Sequence, residues 1–267
     1  MGGITSHKFC VVFFMLCFST KTCLIAKCEK KNPIGESAAL IGCEIAGIFK
    51  NLFDWDTLKI AAITFPFFVG ARIIDEKLHS CFYDFDKHKN INNPPKWCHD
   101  FAEWSVSGPM IFCALEAVLA RDNEFREACR TYFVGMPFVI SGKDLLKSLH
   151  FDSCLRPWNQ KFGCECRSPG GFPSGHVAEA TYAAVIFGLR YGPPAAIPLG
   201  LLAVGVGATF ITCNRHYLSQ LVAGAGLGAM FGLAAHKFID EKMRLKYHMS
   251  VTINKQGGPS FNFAYNF

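Results

Sequence analysis

Long apolar stretches separated by short polar segments dominate the second half of the chain. Residues 191–214 contain no charged side chain, and residues 216–235 contain no lysine, arginine or acidic residue. Each stretch is long enough to cross a bilayer as a helix. Gly224, Gly228 and Gly232 recur every four residues, which predicts a smooth helix face that a neighbouring backbone approaches closely. The alternative is a buried helical hairpin in a soluble all-α protein.

Weaker apolar stretches extend the helical pattern toward the amino terminus. Together they predict an all-α, membrane-embedded six-helix bundle. Its helices are expected at about 58–72, 101–120, 130–149, 176–190, 193–214 and 216–236. Basic residues follow the last helix and also lie between the second and the third. The positive-inside rule therefore places these two segments in the cytoplasm and the opposite helix ends on the extracytoplasmic side.

The two ends of the chain differ from this central bundle. Residues 9–19 form an 11-residue apolar core after Lys8, which is typical of a signal peptide or an uncleaved anchor within residues 1–28. Residues 29–57 form an amino-terminal extension, part of which crosses or re-enters the membrane in one possible topology. Alternating aromatic residues in the tail, residues 247–267, predict a short C-terminal β-hairpin.

The composition excludes several classes of protein. Of the 267 residues, 51% are apolar and only 18% are charged, against about 25% charged in an average soluble domain. Disorder is therefore excluded, and the dispersed net charge of +6 argues against a nucleic-acid partner. The 13 cysteines contain no repeated Cys-x-x-Cys units, so no metal site is expected. Cys81 and Cys98 flank a polar stretch and are candidates for a disulfide in an oxidising compartment, as are two of the three cysteines Cys154, Cys164 and Cys166, and the sequence leaves the connectivity open.

Candidate chemistry is concentrated at helix ends on the predicted extracytoplasmic side. The three segments are Arg156-Pro157, Pro173-Ser174-Gly175-His176 and Arg215-His216-Tyr217-Leu218-Ser219-Gln220. Three cations in or near them can hold a phosphate dianion: Arg156, Lys147 and Arg215. Ser174 suits a helix N-cap, and the backbone amides from Gly175 onward favour an anion.

Two histidines, His176 and His216, can supply the reacting groups. One imidazole can attack phosphorus while the other protonates the leaving oxygen. Glu179 lies near His176 on the same predicted helix and is a candidate supporting residue. The sequence contains no helical His-x-x-x-His pair, so the histidines are not expected to bind a metal.

The order and spacing of these segments resemble the type 2 phosphatidic acid phosphatase superfamily, which includes bacterial acid phosphatases and vanadium haloperoxidases. The family pattern runs Lys-x6-Arg-Pro, Pro-Ser-Gly-His and Ser-Arg-x5-His-x3-Asp, and the resemblance covers residues 130–236. It implies that His216 is a nucleophile that forms a phosphohistidine and that His176 protonates the leaving group. It also implies that Arg156 clamps the phosphate and that Ser174-Gly175 contacts its oxygens.

Three positions depart from the family pattern. Leu149 stands where the family has its lysine, so Lys147 would need a two-residue insertion to take that role. Phe210 stands at the position of the arginine, and Arg215 would have to reach the phosphate from another direction. Gln220 stands at the position of the aspartate. As a supporting residue it can accept a hydrogen bond and orient the nucleophilic imidazole, but it offers no negative charge.

The sequence therefore predicts a phosphatase-like helical domain at residues 58–246. The expected activity is a metal-independent phosphomonoesterase without a cofactor, which acts on a lipid phosphate such as phosphatidic acid or a prenyl diphosphate. Its expected partners are the membrane and a phospholipid or isoprenoid phosphate, and its site would face the periplasm or another extracytoplasmic space. Two alternatives remain. One is an inactive homologue that binds phospholipid headgroups or a partner protein, and the other is a soluble periplasmic acid phosphatase.

Overall fold

A computed structural model describes residues 33–82, 96–148, 171–253 and 259–265 of the chain. The helices within these ranges are α1 (Pro33–Leu52), α2 (Trp55–Phe82), α3 (Lys96–Leu119), α4 (Asn123–Ser148), α5 (Gly175–Tyr191), α6 (Pro193–Thr212) and α7 (Leu218–Lys246). Two strands follow, β1 (Tyr247–Ile253) and β2 (Pro259–Tyr265). They pair antiparallel, with Tyr247 opposite Tyr265. The signal or anchor expected within residues 1–28 lies outside the described residues.

The predicted six-helix bundle is wrong, because the described residues contain a seventh helix, α1, which packs against α7 and α4. In the sequence this segment resembles an extension, because Glu44 interrupts its apolar stretch. Glu44 is only 1% exposed. Its carboxylate accepts hydrogen bonds from Arg130 Nε at 2.7 Å and from Lys242 Nζ at 3.2 Å. A buried carboxylate requires such partners, so the charge that interrupts the apolar pattern belongs to the interior.

Four of the described helices, α2, α3, α6 and α7, are long and apolar enough to cross a membrane. Large apolar side chains on these helices face outward, including Phe65, Ile111 and Ile73, the last of which is 80% exposed. Extended apolar surface of this kind is rare on soluble monomers and is stable in contact with lipid. The chain is therefore a membrane protein, and the soluble alternative is not favoured.

The glycines of α7 bring this helix against α5. A Cβ atom at Gly224 would lie 2.4 Å from the carbonyl oxygen of Ser174, and one at Gly228 would lie 2.1 Å from that of Ala178. Only glycine permits such an approach between two helix backbones, so the predicted smooth face is confirmed. Because the contacts advance along both helices together, α5 and α7 run parallel and begin at the same end of the bundle.

Candidate active site

The amino terminus of α5 forms one side of the candidate site. Ser174 is fully buried at the N-cap of this helix. Its amide donates to the carbonyl of Gln220 at 3.0 Å, and its carbonyl accepts the amide of Ala178 at 3.1 Å. Its hydroxyl has no hydrogen-bond partner among the residues that the structure describes. A buried polar group in this state is costly, and an oxyanion at the start of α5 would satisfy both the hydroxyl and the first helix amides.

His176 follows at the second position of α5, which is not one of the four candidate spans. It lines a cavity of about 340 Å³ between α3, α4 and α5, and its Nε2 lies 3.5 Å from a carboxylate oxygen of Glu103. Burial lowers the pKa of His176, whereas the carboxylates of Glu179 and Glu103 act in the opposite direction. The neutral imidazole is therefore favoured before an anion binds. A bound phosphate dianion would raise the pKa of His176 and favour the proton-donating form.

Lys143 is a basic residue that the sequence analysis missed. Its Nζ donates to Glu179 at 2.9 Å. A Cβ atom at Gly175 would lie 2.9 Å from the same Nζ, so the ammonium group rests against the first turn of α5. Lys143 also lines the cavity beside His176, whereas Lys147 does not. Helical spacing could have identified Lys143, because Lys143 and Lys147 are one turn apart and share a face of α4.

His216, the second histidine, is buried immediately before α7. Its Nδ1 lies 3.1 Å from Oε1 of Gln220, and the same oxygen accepts the amide of Tyr217 at 3.2 Å. An amide oxygen only accepts hydrogen bonds, so Nδ1 of His216 carries the hydrogen and Nε2 carries the lone pair. A nucleophilic imidazole requires this tautomer, because the attacking atom, Nε2, must carry a lone pair. Gln220 thus holds His216 through an uncharged acceptor.

Phe210 contacts both histidines. Its ring centroid is 5.3 Å from that of His176 and 5.2 Å from that of His216, and both contacts are edge-to-face. The two imidazoles are therefore separated by no more than the sum of these distances. The carbonyl of Phe210 also accepts the amides of Arg215 at 2.8 Å and His216 at 3.2 Å, so the end of α6 fixes the backbone of the second histidine.

Helix α2 supports the segment that carries His216. The buried carboxylate of Asp75 accepts hydrogen bonds from the amide of Ser219 at 2.9 Å and from its hydroxyl at 2.5 Å. His79 Nε2 lies 2.7 Å from Oδ1 of Asn214. These contacts join residues more than 130 positions apart, and no local sequence pattern indicates them. The sequence analysis therefore assigned no role to either α2 residue.

A disulfide between Cys98 and Cys213 joins the start of α3 to the end of α6, three residues before His216. The candidate pairing of Cys81 with Cys98 is wrong, because Cys81 is an exposed free thiol. Cys81 and Cys98 flank one polar stretch in the sequence, whereas the fold brings Cys98 to a residue 115 positions away.

The predicted cations stand on three different segments of the chain. Arg156 lies outside the described residues. Arg215 is half-buried in the segment between α6 and α7, and Lys147 is half-buried near the end of α4. Neither of these two lines the cavity beside His176. Among the described residues, the start of α5 therefore brings together His176, the buried hydroxyl of Ser174, the first helix amides and the ammonium of Lys143.

Comparison with known proteins agrees with the resemblance found in the sequence. Residues 125–244 match the family model of the PAP2 superfamily. The crystal structure of the first transmembrane PAP2 type phosphatidylglycerolphosphate phosphatase, from Bacillus subtilis, is similar over 68% of this chain and 96% of that chain, with 19% identity and a TM-score of 0.49. No curated protein matches the chain. The matched range runs from α4 to α7 and contains both histidines, so the similarity of this chain to the PAP2 superfamily covers the segment that carries the candidate site.

Proposed function

We propose that this protein is a membrane phosphatase that hydrolyses lipid phosphomonoesters through a phosphohistidine intermediate. One observation carries the proposal: His176 and His216, 40 positions apart in the sequence, both contact the ring of Phe210, and the backbone of Ser174 is hydrogen-bonded to Gln220, the partner of His216. The PAP2 superfamily match supports phosphatase chemistry at this place. Phosphatidic acid and prenyl diphosphates are the candidate substrates.

In the proposed reaction, Nε2 of His216 attacks phosphorus. A P–N bond forms as the P–O bond to the alcohol breaks, and protonated His176 gives its proton to the leaving oxygen. Water then attacks the phosphohistidine, and the now neutral His176 takes a proton from that water. The P–N bond breaks, phosphate leaves and both imidazoles return to their starting states.

The oxygens of the transferred phosphoryl group require donors that are fixed before the reaction begins. The hydroxyl of Ser174 and the amide of Gly175 supply two of them at the start of α5. The ammonium of Lys143 rests against the same turn and adds positive charge. Arg156 and Arg215 are proposed as further phosphate contacts on the strength of the sequence pattern.

Two observations support an extracytoplasmic position for the site. The Cys98–Cys213 disulfide lies at the same end of the bundle as His216, and disulfides persist in oxidising compartments. Basic residues lie at the opposite end, where Lys237 and Arg244 line a cavity between α1 and α7, and positive charge favours the cytoplasmic side. A lipid could then reach the site laterally from the outer half of the bilayer.

Phosphate release from a lipid phosphomonoester by the purified protein tests the proposal. We expect His216→Gln to abolish release and His176→Gln to lower it strongly. His236→Gln is the matched control, because His236 lies on α7 near the opposite end, where its Nε2 is 3.5 Å from Asp240. A phosphohistidine should be trapped as protein-bound phosphate that survives alkali and is lost in acid. Equal release by the wild-type protein and His216→Gln would remove the enzyme proposal.

A second candidate function is binding of a lipid phosphate without hydrolysis. Phe210 and Gln220 favour it, because both are buried and uncharged where the family pattern has an arginine and an aspartate. This function predicts that vesicles containing phosphatidic acid bind the wild-type protein and His216→Gln equally, with no phosphate released by either.

A further inference from the structure

The cavity beside His176 has one polar and one apolar wall. Its polar residues are Glu103, Ser107, Lys143, His176 and Glu179, and its apolar residues are Val106, Met110, Ile111 and Ile140. At about 340 Å³ it falls within the size range of small-molecule sites. Carboxylates repel a phosphate, and this cavity contains two of them. The side of the cavity beside Glu103 therefore fits a part of the substrate other than the phosphate, whereas Lys143 lies at the start of α5, where the phosphate is proposed to bind.

The two carboxylates differ in their surroundings. Glu179 is 6% exposed and accepts a hydrogen bond from Lys143 at 2.9 Å, so its charge is balanced. Glu103 is 54% exposed, and one of its carboxylate oxygens lies 3.5 Å from Nε2 of His176. A carboxylate offers about four acceptor positions, so this exposed side chain can accept hydrogen bonds from more than one donor.

Glu103 also belongs to α3, one of the candidate membrane spans. An ionised side chain in such a helix is costly unless it faces a polar cavity or a partner, and Glu103 does both. Its position beside His176 is specific, because in the proposed reaction His176 protonates the leaving oxygen. In the proposed reaction, a carboxylate next to this proton donor would lie near the leaving alcohol.

We infer that Glu103 is a specificity-determining residue that accepts a hydrogen bond from a hydroxyl or ammonium group on the leaving alcohol. This inference rests on the proposed phosphatase function and names its substrate class: lipid phosphomonoesters that carry a hydrogen-bond donor next to the phosphate-bearing carbon. The apolar wall, formed in part by Met110 and Ile140, would contact the start of the hydrocarbon chain. A prenyl diphosphate is disfavoured, because its second phosphate would face the like charge of Glu103.

Three lipids that differ in one group test the inference: octadecyl phosphate, 2-hydroxyoctadecyl phosphate and 2-aminooctadecyl phosphate. The wild-type protein should hydrolyse the two donor-bearing lipids with a kcat/KM about tenfold to a hundredfold above that of octadecyl phosphate, as expected for one hydrogen bond to a charged group. Glu103→Gln should lose most of the preference for the amine and retain part of that for the hydroxyl, since its amide oxygen still accepts. Glu103→Ala should lose both preferences. The lipid with the larger kcat/KM relative to octadecyl phosphate shows whether the donor that Glu103 recognises is a hydroxyl or an ammonium group.

The matched control is Glu116→Gln, which removes the same charge from α3 about 20 Å further along the helix and does not line this cavity. It should keep the wild-type preference. Equal kcat/KM for all three lipids in the wild-type protein would overturn the inference. So would a Glu103→Gln variant that loses the same factor on every lipid, because Glu103 would then act through His176 alone. Absence of His216-dependent release from all three lipids would instead overturn the proposed function itself.

Discussion

Replacement of Gly224 by alanine tests the close contact between α5 and α7, on which the site depends. The new Cβ atom would lie 2.4 Å from the carbonyl oxygen of Ser174 and 3.2 Å from its carbonyl carbon. Both are backbone atoms, and the oxygen already accepts the amide of Ala178. No side-chain rotation can relieve this contact, so the start of α5 must move away from α7.

The size of the effect follows from these distances. Carbon–oxygen contacts in proteins are normally about 3.3–3.6 Å, so Ser174 must shift by about 1 Å. Overpacking of this kind costs about 1–3 kcal/mol, and alanine recovers up to about 1 kcal/mol through its higher helix propensity. We expect a net loss of about 1–2 kcal/mol in the free energy of unfolding. A displacement of about 1 Å at a positioning group can cost about a hundredfold in rate, so activity should fall more than stability.

Three glycine-to-alanine variants separate these effects. Gly228→Ala creates a similar contact, 2.1 Å from the carbonyl oxygen of Ala178, one turn further from the site. Gly200→Ala on α6 meets nothing within 4 Å. Thermal midpoints in detergent and phosphate release from a lipid phosphate should show stability losses for Gly224→Ala and Gly228→Ala, the largest activity loss for Gly224→Ala, and neither loss for Gly200→Ala. A Gly224→Ala protein as stable and active as Gly200→Ala would refute the reasoning.

Three further predictions concern the surroundings of the histidines. Asp75→Ala removes two charge-assisted hydrogen bonds at the start of α7 and should cost about 3 kcal/mol; an unchanged thermal midpoint would contradict this. Reduction of the Cys98–Cys213 disulfide should lower the midpoint by an amount equivalent to about 2–5 kcal/mol, and a variant with serine at both positions should show the lower midpoint without responding to reductant. Glu103→Gln removes a charge that raises the pKa of His176. Since the proton donor is lost as pH rises through that pKa, the alkaline limb of the kcat profile should move to lower pH, and an unmoved limb would show that this carboxylate does not act on the histidine.

The sequence predicted those parts of the fold that depend on local pattern. The two uncharged stretches correspond to α6 and α7, and the four-residue glycine repeat correctly indicated a close helix contact. Helix α1 was missed because Glu44 was taken as an interruption. Its partners, Arg130 and Lys242, are 86 and 198 positions away. A single buried charge cannot be distinguished from an exposed one until the fold provides its partners.

For the candidate site as well, local motifs could be recognised in the sequence, whereas contacts between distant segments could not. Ser174, His176, His216 and Gln220 were predicted as site residues because each belongs to a short motif whose chemistry is visible within a few residues. Lys143 was not predicted because the family pattern places its lysine by counting along the chain from the arginine, whereas the position of Lys143 beside α5 depends on the face of α4 that carries it. The disulfide and the α2 contacts were missed because they join distant segments, and only tertiary packing brings their members together.

The two departures from the family pattern near His216 change the local charge in opposite directions. Their combined effect on that charge therefore differs from the effect of either one alone. Phe210 removes a positive charge and Gln220 removes a negative one, so the formal charge beside the nucleophile matches that of the family pattern. The structure places a carboxylate, Glu103, beside the other histidine instead. In the proposed mechanism this arrangement stabilises the protonated acid, His176, while the nucleophile keeps its tautomer through Gln220 but gains no basicity from it. Because attack and protonation of the leaving oxygen occur together in the proposed reaction, the lower basicity of His216 slows this first step, and the carboxylate beside His176 opposes that loss by favouring the proton donor.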